Sequence, residues 1–287
     1  MRLIYSCLIP FLIYSYSYAE TQKKYFSIEE LVQKGVIKAS FKGLGGHSGD
    51  CIQLNLENPS NDSVFVWVEA GRRLGSIDTS EQDIFLTQNR QIALAPLQKD
   101  SLNLEGYCCQ SSKAGPKIAS LFTIGAMAPT LWVKFANFLD KNKFPKEAVQ
   151  AAVWVLSDGH DLASIHAEDD KAIIPLRREL AKLLNRPIPW YSFTYKEAEN
   201  GVFSNEIEEV HGEIKFSLSS NAVITIFIQD EFGYILHYII PEMNMGPGDY
   251  VLEVDTEIAA WEPGEYTIWI YQDYNVPLKK QTFFKKQ

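Results

Sequence analysis

Cysteine and histidine are the side chains here whose types and spacing suggest chemistry. Cysteines stand at positions 7, 51, 108 and 109. Cys7 lies in an apolar N-terminal run that reads as a cleaved export signal, so three remain, an odd number for an exported chain. The expected arrangement is a disulfide from Cys51 to Cys108 or Cys109, with the leftover thiol buried and inert. A vicinal 108–109 bridge would be strained. Asp158-Gly159-His160-Asp161, then His166 and Glu168-Asp169-Asp170, puts two histidines and several carboxylates in one loop. Such a set suits a divalent cation or, with Cys109 and His160, a cysteine hydrolase pair. The spacing matches no zinc pattern, and acids at a helix start complement its dipole, so neither metal nor cofactor is expected. His211 and His237 stand alone and read as surface or satisfied core residues. Gly43-Leu44-Gly45-Gly46-His47-Ser48-Gly49 precedes a strand instead of following one, and it fits no phosphate-loop spelling.

The elements that must position these groups fall into zones. Residues 1–19 have a positive start at Arg2, an apolar stretch to about residue 14, and Ser17-Tyr18-Ala19 at a peptidase-like boundary. The apolar run is shorter than the ~20 residues a membrane span needs. The expected address is therefore secreted or cell-surface, with the periplasm as an alternative. Losing Arg2 with the signal takes the formal charge from −9 to −10. That balance argues against nucleic acid as a partner. Aromatic residues at 13% of the chain argue against disorder.

From residue 36 to about 109 the hydrophobic period is two. Ile52, Leu54 and Leu56 alternate with Gln53 and Asn55, and Val64, Val66 and Val68 alternate with Phe65 and Trp67. Further short runs follow at 83–87, 91–95 and 101–108. This pattern predicts an antiparallel sandwich. After a polar loop at 110–117 the period lengthens, predicting about three helices. One carries Leu131, Phe135 and Leu139, one runs from Pro145 to Gly159, and one covers 169–184 with a kink or late start at Pro175. Residues 190–208 lack periodicity and read as a linker. Beyond 209 the period of two returns to the end, predicting a second, smaller sandwich. The expected fold is thus mostly β with a helical subdomain, in domains 20–189 and 209–287.

Two stretches resemble known families. Gly246-Pro247-Gly248-Asp249-Tyr250 and Pro263-Gly264-Glu265-Tyr266 punctuate a strand series over residues 211–287. This region resembles the immunoglobulin-like domain of flagellar hook-capping proteins and the C-terminal sorting domains of the type IX secretion route. The resemblance implies a spacer, an assembly module or an export signal read by secretion machinery. The basic end, Lys279-Lys280 and Lys285-Lys286, fits the last. Val149-Gln150-Ala151-Ala152-Val153-Trp154 is similar to a helix element of the surface thioester domains of bacterial adhesins. There the glutamine is joined to a cysteine that follows an aromatic residue, a place Tyr107-Cys108 or the adjoining Cys109 fills. This resemblance implies cysteine attack on the Gln150 carboxamide, loss of ammonia, and a thioester that acylates a target. Trp154, one turn on, would keep water out.

The preferred functional reading is a secreted, non-enzymatic binding or assembly protein, with Phe65, Trp67, Trp190 and Tyr191 as contacts for a protein or glycan at the cell surface. For Trp67, cover of the protein's own helices is the preferred role. The alternatives are a covalent adhesin using Cys108 or Cys109 with Gln150, and a metal-assisted or cysteine hydrolase.

Overall fold

The computed structural model describes residues 24–196 and 204–286. The signal-peptide reading of residues 1–19 lies outside them. Among the described residues the N-terminal elements are β1 (Phe26–Ser27), α1 (Ile28–Gln33), β2 (Lys38–Leu44), β3 (Ser48–Glu57), β4 (Val64–Val68), β5 (Arg72–Ser76), β6 (Ile84–Leu86), β7 (Arg90–Leu94), β8 (Lys99–Cys108) and β9 (Ile118–Met127). Three helices follow, α2 (Thr130–Lys141), α3 (Lys146–Ser157) and α4 (Ile174–Leu184), with a 3-10 turn at Leu162–Ser164 between the last two. The chain ends in β10 (Tyr191–Tyr195), β11 (Ile207–Leu218), β12 (Ala222–Asp230), β13 (Ile235–Met245), β14 (Gly248–Glu257), β15 (Gly264–Gln272) and β16 (Val276–Lys285).

The molecule is mostly β with a helical subdomain, as the periodicities predict. In the first half, however, the strands close. They form a barrel in the order β2-β3-β8-β6-β5-β9, flanked by a small sheet β1-β4-β7. The expected open sandwich lacked two members. The run at 118–127 fell between the polar loop and the helices, and Arg72–Ser76 was hidden by glycines read as turns. β9 pairs with β2 on one side and β5 on the other, which removes both free edges. Alternation fills the interior with Phe41, Ile52, Leu54, Leu74, Ile84, Leu104, Cys108 and Phe122. Gly106 permits the β6–β8 approach, since a Cβ there would lie 2.5 Å from Ile84 Cγ2.

Residues pointing outward from the same strands carry the helices. Phe85, Tyr107 and Cys109 form one core with Phe135, Val149, Ala152, Val153, Leu176 and Leu180. α3 starts just after Pro145, and α4 begins late, with Pro175 in its first turn, where a missing N–H does no harm. Successive residues at the end of β8 and just beyond it thus face different cores: Cys108 looks into the barrel and Cys109 toward the helices.

The C-terminal module has two antiparallel sheets, β10-β11-β14 and β13-β12-β15-β16, over a common apolar core. Tyr266, near the start of β15, turns its hydroxyl back to donate to the Glu262 carbonyl and pins the preceding corner. β10 lies in the stretch read as a linker. It pairs with β11 from Tyr191↔Gly212 to Tyr195↔Ile207, because Trp190, Tyr191 and Phe193 bury apolar surface on this module. Residues 197–203 lie outside the described residues.

Candidate functional site at the barrel–helix seam

α3 presents its apolar stripe to the barrel, and Gln150 lies within that stripe, 1% exposed. Burying a primary amide is unfavourable unless it is fully hydrogen-bonded. Its partners come from β8. The Cys108 N–H donates to Gln150 Oε1 at 3.0 Å, and Gln150 Nε2 donates to the Cys108 carbonyl at 2.8 Å. The carboxamide therefore pairs with the backbone of this residue as a neighbouring strand would. The Cys108 N–H is shared with the His47 carbonyl at 3.2 Å. The structure thus brings Gln150 against the backbone of Cys108, one of the two cysteines the thioester resemblance offers, while the Cys108 side chain faces the barrel interior.

Cys109 is oriented differently. Its N–H donates to the Asp83 carbonyl at 2.9 Å, on the β6 side, and its thiol contacts the Tyr107 carbonyl at 4.0 Å within the helical core. Of the two cysteines, Cys108 is the one whose backbone holds Gln150.

The expected Cys51 disulfide does not form, and all three described cysteines are free and buried. Cys109 is excluded because it faces away from the barrel interior. Cys108 shares the barrel interior with Cys51, but a shift in β3 between Gly49 and Ile52 leaves Ser48 opposite Tyr107, so the two are not cross-strand partners. Cys51 donates instead to the Gly106 carbonyl at 3.3 Å. Burial pushes Cys51 and Cys109 up to about 12 and raises Cys108 as well. For Cys109 the charges of Asp83 and Asp158 add to burial, while Arg73 opposes it. All three are thiols at neutral pH.

Trp154, one turn beyond Gln150, is 8% exposed and lies between His47 and His160, with ring centres at 6.4 and 6.0 Å. It closes this end of the seam with aromatic bulk.

The loop after α3 separates its two histidines. His160 Nε2 lies 3.0 Å from Ser111 Oγ, so the hydroxyl found beside it is Ser111, where the sequence suggested Cys109. Asp158 accepts from the Ser111 N–H at 2.9 Å. Burial holds His160 below the ordinary imidazole range, against the nearby charge of Asp158. His166 turns the other way, 3.5 Å from Asp170 and 5.6 Å between ring centres from His211. His211, read as isolated, lies between Glu209 and Asp255, which approach it to 3.2 and 2.8 Å. These three offer metal-ligand atoms within 4.8 Å of one another. Residues 209 and 211 share a strand face by the period of two, whereas Asp255 joins them through the β11–β14 register. Only the first relation was visible in the sequence. Ser111 carried no signal at all.

The proposed contact aromatics divide. Trp67 is 39% exposed, with its indole N–H on Asn89, and Phe65 packs edge-on to Tyr25. Trp190 and Tyr191 serve the C-terminal module itself. Trp190 donates to the Thr282 carbonyl at 2.6 Å and covers Gly212, while the Tyr191 hydroxyl accepts from the Phe284 N–H at 3.2 Å. Of the basic end, Lys285 is buried, whereas Lys286 stays exposed. Lys285 Nζ binds the carbonyls of Ile258, Ala259 and Trp261, and Lys286 pairs with Asp161 at 2.9 Å.

Among the described residues no helix is long and apolar enough to cross a membrane. No family model and no curated protein matches the chain. Among solved structures, a β-glucosidase from Kluyveromyces marxianus in complex with glucose aligns over 82% of this chain and 45% of its own. The identity is 9% and the TM-score 0.20, a likeness that carries no argument.

Proposed function

We propose that this protein is an extracellular covalent adhesin, in which Cys108 and Gln150 form an internal thioester that acylates a target at a cell surface. The observation that carries the reading is the fully buried Gln150 carboxamide docked on Cys108. The step requires the Cys108 side chain, which faces the barrel interior, to turn toward α3; its thiol then adds to the Gln150 Cδ, the Sγ–Cδ bond forms and the Cδ–Nε2 bond breaks. Burial keeps the thiol protonated, so its proton travels with the step and leaves on ammonia. A primary amine on the target then attacks Cδ, forms an amide and returns a proton to the Cys108 sulfur. The apolar seam under Trp154 is what such an ester needs, because water is kept from it until a nucleophile is presented.

The C-terminal module fits a spacer or assembly role. Its two facing sheets and the Tyr266 corner are in keeping with an immunoglobulin-like domain. With Lys285 occupied by three carbonyls, the basic end supports a structural role at least as well as an export signal. Residues 1–19 support secretion on sequence grounds alone.

Methylamine is the chemical test. Treated native protein should carry N-methylglutamine at position 150, about 14 Da above glutamine, and a newly alkylatable Cys108. Unmodified Gln150 after treatment contradicts the thioester. The protein then reverts to a non-enzymatic binding module in which Gln150 clasps α3 to β8.

A further inference from the structure

Beside the seam, a cleft of about 350 Å³ opens between the α3 loop, the 111–112 segment and the β10–β11 sheet. Its walls include Ser111, Asp158, His160, Phe193, Tyr195 and Lys286. Ser111 is itself 4% exposed, and its Oγ lies 3.0 Å from His160 Nε2 at the cleft surface. The two residues are 49 apart in sequence, so the tertiary fold and not a local turn brings them together.

The surroundings set roles for both. Asp158 fixes the Ser111 backbone by accepting its N–H, and its charge favours the imidazolium that forms when His160 takes a proton. The His160 backbone N–H donates to the Trp154 carbonyl at 3.4 Å, and the Trp154 ring lies against the imidazole. Burial holds His160 below the ordinary imidazole range, and in its Nδ1–H tautomer Nε2 receives the serine proton. Lys286, paired with Asp161 at 2.9 Å on the cleft wall, adds to burial in holding His160 down. Phe193 and Tyr195 give part of the wall an apolar character suited to a short acyl chain.

We propose that Ser111 and His160 form a second reactive centre, a serine acyl-transfer site for small carboxylic esters, distinct from the Cys108–Gln150 pair. As Ser111 Oγ bonds to the acyl carbon, its proton passes to His160 Nε2. The ester C–O bond breaks and the alcohol leaves with that proton. Water, deprotonated in turn by His160, cleaves the acyl-serine, releasing the carboxylic acid and restoring Ser111. Asp158 is a positioning residue in this scheme.

The test is labelling of the intact purified protein with diisopropyl fluorophosphate, followed by peptide mass mapping. The expected result is a single adduct on Ser111. The labelling rate should rise with pH to a plateau whose midpoint lies below the free imidazole value, about 6.5. His160→Gln should lower the rate at least tenfold, and Asp158→Asn should move the midpoint further down. A purely structural aspartate would leave that midpoint in place. Absence of a Ser111 adduct in the wild type overturns the proposal even if no variant folds, and so does a rate unchanged in folded His160→Gln. The readout is independent of methylamine capture at Gln150, so failure of one centre is distinguishable from failure of the other.

Discussion

The two modules bury polar groups in different ways. In the barrel–helix module, side chains join one element to another across seams. Arg72 is 2% exposed and binds Glu69 at 2.7 Å, Glu29 of α1, and the Gly125 carbonyl at 2.9 Å. Gln150 joins α3 to β8, and Arg177 joins α4 to the Ile165 carbonyl. The C-terminal sandwich relies on backbone ladders and alternating apolar residues, with Lys285 and Tyr266 as its main interior side-chain bonds. A seam held by a side-chain amide contains a functional group that chemistry can exchange. A backbone ladder does not. That difference is why the candidate reactive groups gather in the first module.

The largest effect should come from Arg72→Met, which strands the buried Glu69 carboxylate. Urea denaturation should show a loss of about 3–5 kcal/mol, while the C-terminal module keeps its own transition. A loss under 1 kcal/mol would mean that this seam is held by apolar packing alone. Measured in a Cys108→Ala background, which keeps the carboxamide intact, Gln150→Ala should cost about 2–4 kcal/mol in the same assay, because the carbonyl of residue 108 loses its partner and the side chain leaves a void. A neutral result would remove the clasp.

The second region sharpens the contrast through its boundary. A fragment starting at residue 188 retains β10, and one starting at 209 loses the strand along with the Trp190 and Tyr191 contacts. The shorter fragment should melt at least 5 °C lower, roughly 1 kcal/mol for a domain of this size. Equal melting temperatures would restore the linker reading of 190–208.

The smallest effect concerns pH. His160 is neutral in the folded protein because it is buried, whereas the unfolded chain protonates it near the usual pKa of about 6.5. Stability is then complete above that pH and declines as pH falls toward the lower folded-state value. His160→Gln should flatten that part of the curve, and an unchanged slope would assign it to other groups.

Much of this was legible in sequence, for definable reasons. The period of two placed Leu54, Val66 and Ile226 in cores, and Pro145 and Gly159 bracketed α3. Barrel closure was missed because β9 follows a polar loop and contains Gly125, so its alternation did not stand out. The Cys108–Gln150 pairing was accessible only through a resemblance. The failed Cys51 disulfide and the Ser111–His160 contact depend on register and tertiary approach, which no local pattern encodes. Trp190 and Tyr191 looked like contact residues for the same reason. Aromatic type is visible in a sequence, but the surface that an aromatic side chain covers is not.

Intact mass of freshly purified protein, taken under non-reducing conditions without amine buffers, tests the central claim most directly. A Cys108–Gln150 thioester predicts a mass about 17 Da below that of the mature sequence, the loss of one ammonia, with the deficit absent in Cys108→Ala and Gln150→Ala. A wild-type mass equal to the full mature sequence would contradict it.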